Sequence, residues 1–530
     1  MPSLVGREGG RLMRTLAIGL DGCSWNVLEP LLESGELPNL ARLREEGAHG
    51  VLESTVPFFT GPAWASFATG ASPAAHGIYD FMMLREDGRL TVAHQSDVRR
   101  TMYHHQLGRE GKRCVLINLP LDQDGCEGAV IVNSWLTDSD AHRILPAGRR
   151  ERYRRLLEAY RTFPVDPADL DELCAIEEAR FDLARELFLG EPWDHFFVLF
   201  SSTDWLGHGS TGRFLRGEAG AREAFLRLYR QLDGYIGWFA ARAPDATIAV
   251  LSDHGQCEEN AVVHVNAVLR HLGLAMAADP GSGERSPFFV DRRPKARVTI
   301  GIPTAVGRFR TNPLVRPLAL VVKRALKRGA GIEVAVATHA VDRRSSAAFS
   351  PTDASFAVYA RDGSDDDVER IREALLEIRL DDGRAAIEDV WTPEELYGRP
   401  PVGSGPALVF APALGVRPSA SLRDTVVGPP RMPGRGCHQR DGILILAGPN
   451  VPAAELARAS LYDLAPTLLW AMGAGIPEDG DGRVLVEAFE DSFAATRPIR
   501  EVEAAVDGAP AGRGAESDEV ARRLKALGYI

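Results

Sequence analysis

Cysteine is scarce in this 530-residue chain: six residues, at positions 23, 114, 126, 174, 257 and 437, with no Cys-x-x-Cys pair among them. That spacing argues against a disulfide framework, and the six are expected to be small packing residues. Long apolar runs are missing too. None approaches the ~20 residues that cross a bilayer, and the opening stretch M-P-S-L-V-G-R-E-G-G-R-L-M-R lacks the apolar core of a secretory signal. A cytoplasmic location is therefore expected, with residues 1–13 a disordered extension and Met13 a candidate start. Net positive charge is also absent: 61 Lys and Arg stand against 73 Asp and Glu, for a formal charge of −12. Such a surface excludes broad affinity for nucleic acid, so any anion must be recognised locally. With 45% hydrophobic and 25% charged residues, the composition is that of an ordinary globular protein, long enough for two lobes.

What the chain does have is a set of apolar runs that end in acidic or imidazole residues. T-I-A-V-L-S-D-H-G reads as a buried parallel strand delivering Asp253 and His254 at its C-terminal end, where open α/β sheets keep their sites. T-L-A-I-G-L-D-G ends in Asp21. H-F-F-V-L-F-S-S-T-D-W-L-G-H runs through a strand and presents Asp204 and His208 four residues apart, on one face if a helical turn begins there. G-C-H-Q-R-D-G-I-L-I-L-A-G supplies His438 ahead of another apolar run, and F-F-T-G-P-A-W offers Thr60 as a helix cap before Gly61-Pro62.

Mixed carboxylate and imidazole donors suit Zn²⁺ or a similar dication, since both bind it at about 2.0–2.2 Å. Two such ions can hold the attacking and leaving oxygens of an in-line displacement. Three carboxylates against two dications leave a net positive site, for which a phosphate dianion is the natural guest. A threonine hydroxyl beside a cation and a helix N-terminus has its alkoxide stabilised. Each residue also has a plainer reading. Asp253-His254 could cap the following helix, Asp21-Gly22 could mark a turn, and Thr55, Ser66 and Thr69 are rival hydroxyls to Thr60. Cys23, Cys257 and Cys437 lie close enough in sequence to the candidate ligands to compete with them. His76 and His264 read as structural, and His104 and His105 as residues of a surface helix without partners.

The ordered set resembles the alkaline phosphatase superfamily, in its type I phosphodiesterase/nucleotide pyrophosphatase branch. I-G-L-D-G at 18–22, P-N-L-A-R-L at 38–43, T-G-P-A-W-A-S-F-A-T-G-A-S-P-A-A-H-G-I at 60–78, D-W-L-G-H at 204–208, S-D-H-G at 252–255 and G-C-H-Q-R-D-G-I-L-I-L-A-G-P at 436–449 carry the likeness. Y-D-L-A-P-T-L-L at 462–469 and D-G-R-V-L at 481–485 extend it. The resemblance implies a phosphohydrolase working through a phosphothreonine on Thr60. It implies one metal on Asp21, Asp253 and His254, and another on Asp204, His208 and His438. Zinc is the first expectation, with manganese or iron as alternatives, and water activated at the second metal would release the phosphoryl group. Where the branch places an asparagine after H-G-I, this chain has Phe81, so a small-molecule, lipid or sugar phosphoester fits as well as a nucleotide diester. Tyr79, Asp80, Trp64 or an inserted residue would then take over the contact. Transfer to an alcohol and non-catalytic binding of a phosphorylated ligand are the alternatives. Sulfatase chemistry is disfavoured, because T-G-P-A-W lacks that family's arginine.

The βαβ-rich pattern predicts an α/β fold: a mostly parallel central sheet flanked by helices, with an inserted cap. The core is expected at 14–274 and 411–495 and the cap over 275–410. A linker and C-terminal amphipathic helix are expected over 496–530. The basic stretch R-P-L-A-L-V-V-K-R-A-L-K-R-G within the cap reads as a solvated helix, with contact to a membrane surface as the rival. The oligomeric state is left open.

Overall fold

The computed structural model describes residues 13–85, 88–121, 123–137, 143–278, 341–361, 364–403, 405–505, 520 and 522–524. Residues 1–12 of the expected extension, the basic stretch of the cap and most of the C-terminal helix lie outside the described residues; Met13, expected as the end of the extension, is instead buried in the core against the central sheet.

The apolar runs form the middle of one large sheet. Across it the order is Ala454–Glu455, Ala48–Glu53, Asp441–Ala447, Ala246–Leu251, Arg14–Leu20, His195–Phe200, Cys114–Ile117, Ala129–Val132 and Ile144–Leu145. The five strands from Ala246–Leu251 to Ala129–Val132 are mutually parallel, while Asp441–Ala447 runs antiparallel to both neighbours. His195–Phe200 and Ala246–Leu251 are buried along their whole length. That is why residues 196–200 and 248–251 read as unbroken apolar runs: both faces are covered, and the polar residues, His195 and Thr247, fall only at the strand starts.

Alternation along each strand feeds two separate cores. Ile18, Val198 and Val250 pack on one face beneath the helices Leu170–Gly190 and Ala219–Arg242, with Leu183, Leu187 and Phe239. Ala17, Phe197, Leu199 and Leu251 pack on the other face beneath the helices Thr60–Thr69 and Leu464–Ala471, with Trp64, Phe67 and Leu468. Burying each of these large side chains contributes ~1.5–3 kcal/mol. The opposed layers hold the strand ends rigidly from both sides.

Beyond the sheet, Gly255–Glu258 and Gly436–Gln439 form a two-stranded antiparallel ribbon that sets Gln256 opposite His438 and Cys257 opposite Cys437. A smaller sheet, ordered Ala348–Phe349, Ala357–Ala360, Leu408–Pro412, Ile387–Trp391, carries the helix Asp365–Leu376. The expected boundary between 410 and 411 falls inside the strand Leu408–Pro412. Phe356, Val358 and Phe410 of this lobe share a core with Val56 and Phe58, so the lobe is seated on the segment leading to Thr60. No helix among the described residues is long and apolar enough to cross a membrane.

Candidate active site

The acidic and imidazole residues singled out in the sequence sit at or just past strand ends. Asp21 follows Arg14–Leu20, and Asp253 with His254 follows Ala246–Leu251. His195–Phe200 leads into the helix Ser202–Leu215, where Asp204 and His208 share a face one turn apart. His438 comes from the ribbon, and Thr60 is the first residue of the helix Thr60–Thr69.

The six ligand candidates converge as two triads. Asp21, Asp253 and His254 each place one ligand atom within 4.8 Å of the others, and Asp204, His208 and His438 do the same. In the first triad His254 Nε2 lies 3.2 Å from Asp253 Oδ2 and 3.8 Å from Asp21 Oδ1. In the second, Asp204 Oδ2 is 3.3 Å from His208 Nε2 and Asp204 Oδ1 is 3.6 Å from His438 Nε2, with the two Nε2 atoms 3.1 Å apart. The triads abut, since the rings of His254 and His438 are 4.0 Å apart at their centroids. Thr60 Oγ1 is buried 3.4 Å from Asp21 Oδ1 and 3.3 Å from His254 Nε2.

A surrounding set of hydrogen bonds aims these groups. His254 Nδ1 lies 3.1 Å from the Gly255 carbonyl. That contact places the ring proton on Nδ1 and turns the Nε2 lone pair toward the two carboxylates. Gly22 N donates to Asp253 Oδ1 at 3.1 Å, and Gly22 has φ +65° in a space where a Cβ would meet Asp204 Oδ1 at 2.9 Å. Gln256 Nε2 donates to Asp204 Oδ1 at 2.7 Å and to its carbonyl at 3.0 Å, while Thr211 Oγ1 donates to Gln256 Oε1 at 2.7 Å. The sequence reading missed Gln256. Its one signal was position, immediately after Asp253-His254-Gly255 and therefore at the start of the strand that faces His438.

Burial raises the Asp21 carboxyl well above the usual range, and Asp253 and Asp204 push it further the same way. Asp253 is raised by burial despite His254 beside it. Burial would also raise Asp204, but His208 and His438 outweigh it and hold that carboxyl well below its usual range. His254 and His438 fall to about 4, chiefly because burial disfavours the imidazolium. Neutral imidazoles, crowded carboxylates and a buried Asp253 Oδ2 with no hydrogen-bond partner among the described residues form a donor set that fits divalent cations.

Other expectations need correction. His104 and His105 are buried, not on a surface helix, because Tyr103–Arg109 packs against Cys114–Ile117 and the helices Thr60–Thr69 and Leu464–Ala471. The cap position before Gly61-Pro62 is held by Phe59, and Thr60 is already helical. Trp64 is a core residue against Phe67 and Phe197, so it contacts no substrate. Asp80 is turned toward Thr352 Oγ1 and Met82 N, which donate to it at 2.5 and 3.1 Å. The described cysteines are free thiols, with Cys257 Sγ and Cys437 Sγ 3.6 Å apart. His76 is structural as expected, its ring nitrogens meeting Ser66 Oγ and Ile78 N.

Solved structures share this architecture. Phosphonoacetate hydrolase from Sinorhizobium meliloti 1021, in complex with phosphonoformate, matches with a TM-score of 0.57 at 17% identity, over 87% of this chain and 96% of that one. The alkaline phosphatase PafA matches at 0.53 and 12%, over 91% of this chain and 100% of that one. An inactive variant of murine ectonucleotide pyrophosphatase / phosphodiesterase 5, in complex with AMP, matches at 0.51 and 12%, over 88% and 96%. The fold is thus that of an α/β protein with alkaline-phosphatase-like architecture. Residues 15–434 match the family model for type I phosphodiesterase / nucleotide pyrophosphatase, and the chain belongs to that family. The match stops just short of His438, which the ribbon nevertheless brings to Asp204.

Proposed function

We propose that the protein hydrolyses a phosphomonoester or phosphodiester by way of a phosphothreonine on Thr60, with two divalent cations, zinc first among them, on the two triads. The observation that carries this reading is the convergence of both triads on one buried hydroxyl. When bound, the cations supply Lewis-acid stabilisation of the Thr60 alkoxide, of the departing oxygen and of the hydrolytic water.

The chain's own groups do the rest. Thr60 Oγ1 sits at the N-terminus of a ten-residue helix, whose positive end favours an oxyanion there. In the first step the Thr60 oxygen bonds to phosphorus and the ester oxygen leaves; in the second, water displaces the threonine oxygen. Gly255 and Gln256 fix the directions in which His254 and Asp204 present their lone pairs. The cavity beside the second triad is lined by His208, His438, Asp353, Phe356 and Arg417, so a substrate portion seated there would meet a buried guanidinium with the Asp353 carboxylate beside it. Burial is the main influence lowering that guanidinium, to about 10, and it stays cationic at neutral pH. A small, acidic phosphoester fits this wall better than a neutral one. A cytoplasmic location, read from the sequence, belongs to the same proposal.

The test is to strip the purified protein with chelator, restore zinc or manganese, and assay nitrophenyl phosphate mono- and diesters. Thr60→Ala should retain its metal and lose turnover by at least about 10³-fold. Turnover surviving in Thr60→Ala would reject the nucleophile, and a metal-loaded wild type inert on every ester would favour a binding module.

A further inference from the structure

A second kind of donor cluster lies at the other end of the sheet. The buried helix Tyr103–Arg109 turns two adjacent histidines inward, their rings 4.7 Å apart at the centroids and nearly perpendicular. Cys126, half-buried on the connection between Cys114–Ile117 and Ala129–Val132, brings its thiol to them. One ring nitrogen of each histidine and the Cys126 sulfur all lie within 4.8 Å of one another. The cluster is remote from the two triads: Tyr103 OH touches the ring of His195, the first residue of the strand whose far end leads to Asp204.

His104 provides the independent observation. Its Nε2 lies 3.0 Å from Gln123 Oε1, so the ring proton sits on Nε2 and Nδ1 presents a bare lone pair. That Nδ1 is buried and has no hydrogen-bond partner among the described residues. A satisfied core histidine would not leave it so, because an unmet buried acceptor costs about 1–3 kcal/mol. A side-chain carbonyl receiving the far N–H is instead the arrangement that orients a metal-ligating histidine.

We propose that His104, His105 and Cys126 form a further metal site, for a thiophilic divalent ion such as Zn²⁺. Two imidazoles and one thiolate give three of the four positions of a tetrahedral zinc, with Zn–N of about 2.0–2.1 Å and Zn–S of about 2.3 Å. Those bond lengths require the donors to close to roughly 3.3–3.6 Å from each other, a change within reach of side-chain rotation at half-buried Cys126. Binding releases the thiol proton to solvent and forms the S–Zn bond, with no redox step. The role is structural: the ion ties the helix Tyr103–Arg109 to the loop that precedes strand Ala129–Val132.

The two triads contain oxygen and nitrogen donors and no sulfur, which makes cobalt a discriminating probe. The full-length protein, freed of metal and titrated with Co²⁺ under anaerobic, reducing conditions, should show a near-ultraviolet thiolate-to-cobalt charge-transfer band. Cys126→Ser should lose that band and bind one Co²⁺ fewer per chain, while keeping the visible cobalt bands of the triads and its phosphoesterase activity. Cys437→Ser, which removes the thiol next to His438 in the chain and in the lining of the cavity beside the second triad, should keep the band. His104→Gln, which removes no sulfur, should abolish or shift it. A wild type with no thiolate band, or a band that persists in Cys126→Ser, overturns the proposal whether or not His104→Gln folds.

Discussion

Gln256 offers the sharpest test of how the second triad is held. It is buried, gives two hydrogen bonds to Asp204 and receives one from Thr211. Gly207 leaves the room for it, since a Cβ there would overlap Gln256 Oε1. Gln256→Leu removes the amide at similar volume, with two opposed consequences. Asp204 loses a donor and becomes a more basic ligand, which favours the cation. It also loses its orientation, and outer-sphere partners of this kind are worth about 10–100-fold in metal affinity. The bond to the carboxylate, at 2.7 Å and charge-assisted, is worth about 1.5–3 kcal/mol by itself, or roughly 10–150-fold. Orientation therefore wins, and zinc affinity at the site containing Asp204 should fall by about 10–100-fold while the other site holds. Competition titration with a chromophoric chelator reads both sites. Gly207→Ala should give the same phenotype by steric displacement of an intact Gln256. Zinc binding unchanged within about threefold in both variants would refute the positioning role.

His195 is fully buried between Thr15 Oγ1 and Tyr103 OH, and burial lowers it to about 3. A folded value below the unfolded one of about 6.5 means that the unfolded chain takes up the proton first. Its contribution is complete above pH 6.5 and is lost as pH falls toward 3, so His195→Gln should flatten the stability–pH slope there by up to about 1.4 kcal/mol per pH unit. Equal slopes in urea-unfolding series of the two proteins would contradict the assignment. Arg417→Gln should lower kcat/KM by about 10–150-fold on phosphoesters carrying a second anionic group, and by less than about threefold on a neutral nitrophenyl monoester. Equal losses on both would show that Arg417 acts on the fold. Chelation should destabilise the protein, because the Asp21, Asp204 and Asp253 carboxylates then face one another without a cation; zinc at 100 times its Kd restores about 2.7 kcal/mol. A melting temperature indifferent to zinc would argue against occupancy of the triads.

The central strands were legible because both faces of the sheet are covered. Residues such as Ile18, Val198 and Val250 had to be apolar on one side, and Ala17, Phe197 and Leu251 on the other. The ligand candidates were legible because Asp and His recur at the ends of several apolar runs; any one of them alone reads as well as a cap or a turn. What escaped the reading depends on partners distant in sequence. Gln256 is an ordinary amide until the ribbon register sets it opposite His438 and the helix Ser202–Leu215 lays Asp204 against it. Y-H-H-Q-L-G is polar enough to suggest a solvated helix, and only packing by Leu464–Ala471 and Cys114–Ile117 buries it. Asp80 looked free to meet a substrate until Thr352, 272 positions away, claimed its carboxylate.

The two triads are assembled by different means, and the difference has a consequence. Asp21, Asp253 and His254 follow just after two neighbouring parallel strands locked in register over their length, from Arg14↔Ala246 to Gly19↔Leu251. Their spacing is fixed by the sheet before any side chain is chosen. Asp204 and His208 ride the helix that follows the third parallel strand, and His438 arrives on a ribbon strand whose partner, Gly255–Glu258, continues directly from His254. The chain between the two ribbon strands contains the smaller lobe, with Phe356 and Arg417 at the cavity beside His438. A change of sequence in that lobe can reshape the wall against the substrate without altering the register that spaces Asp21 from Asp253. It reaches the second triad through His438 and the Thr60 end through Val56 and Phe58, on which Phe356, Val358 and Phe410 pack, so of the site's parts only the strand register behind Asp21 and Asp253 is insulated from the lobe.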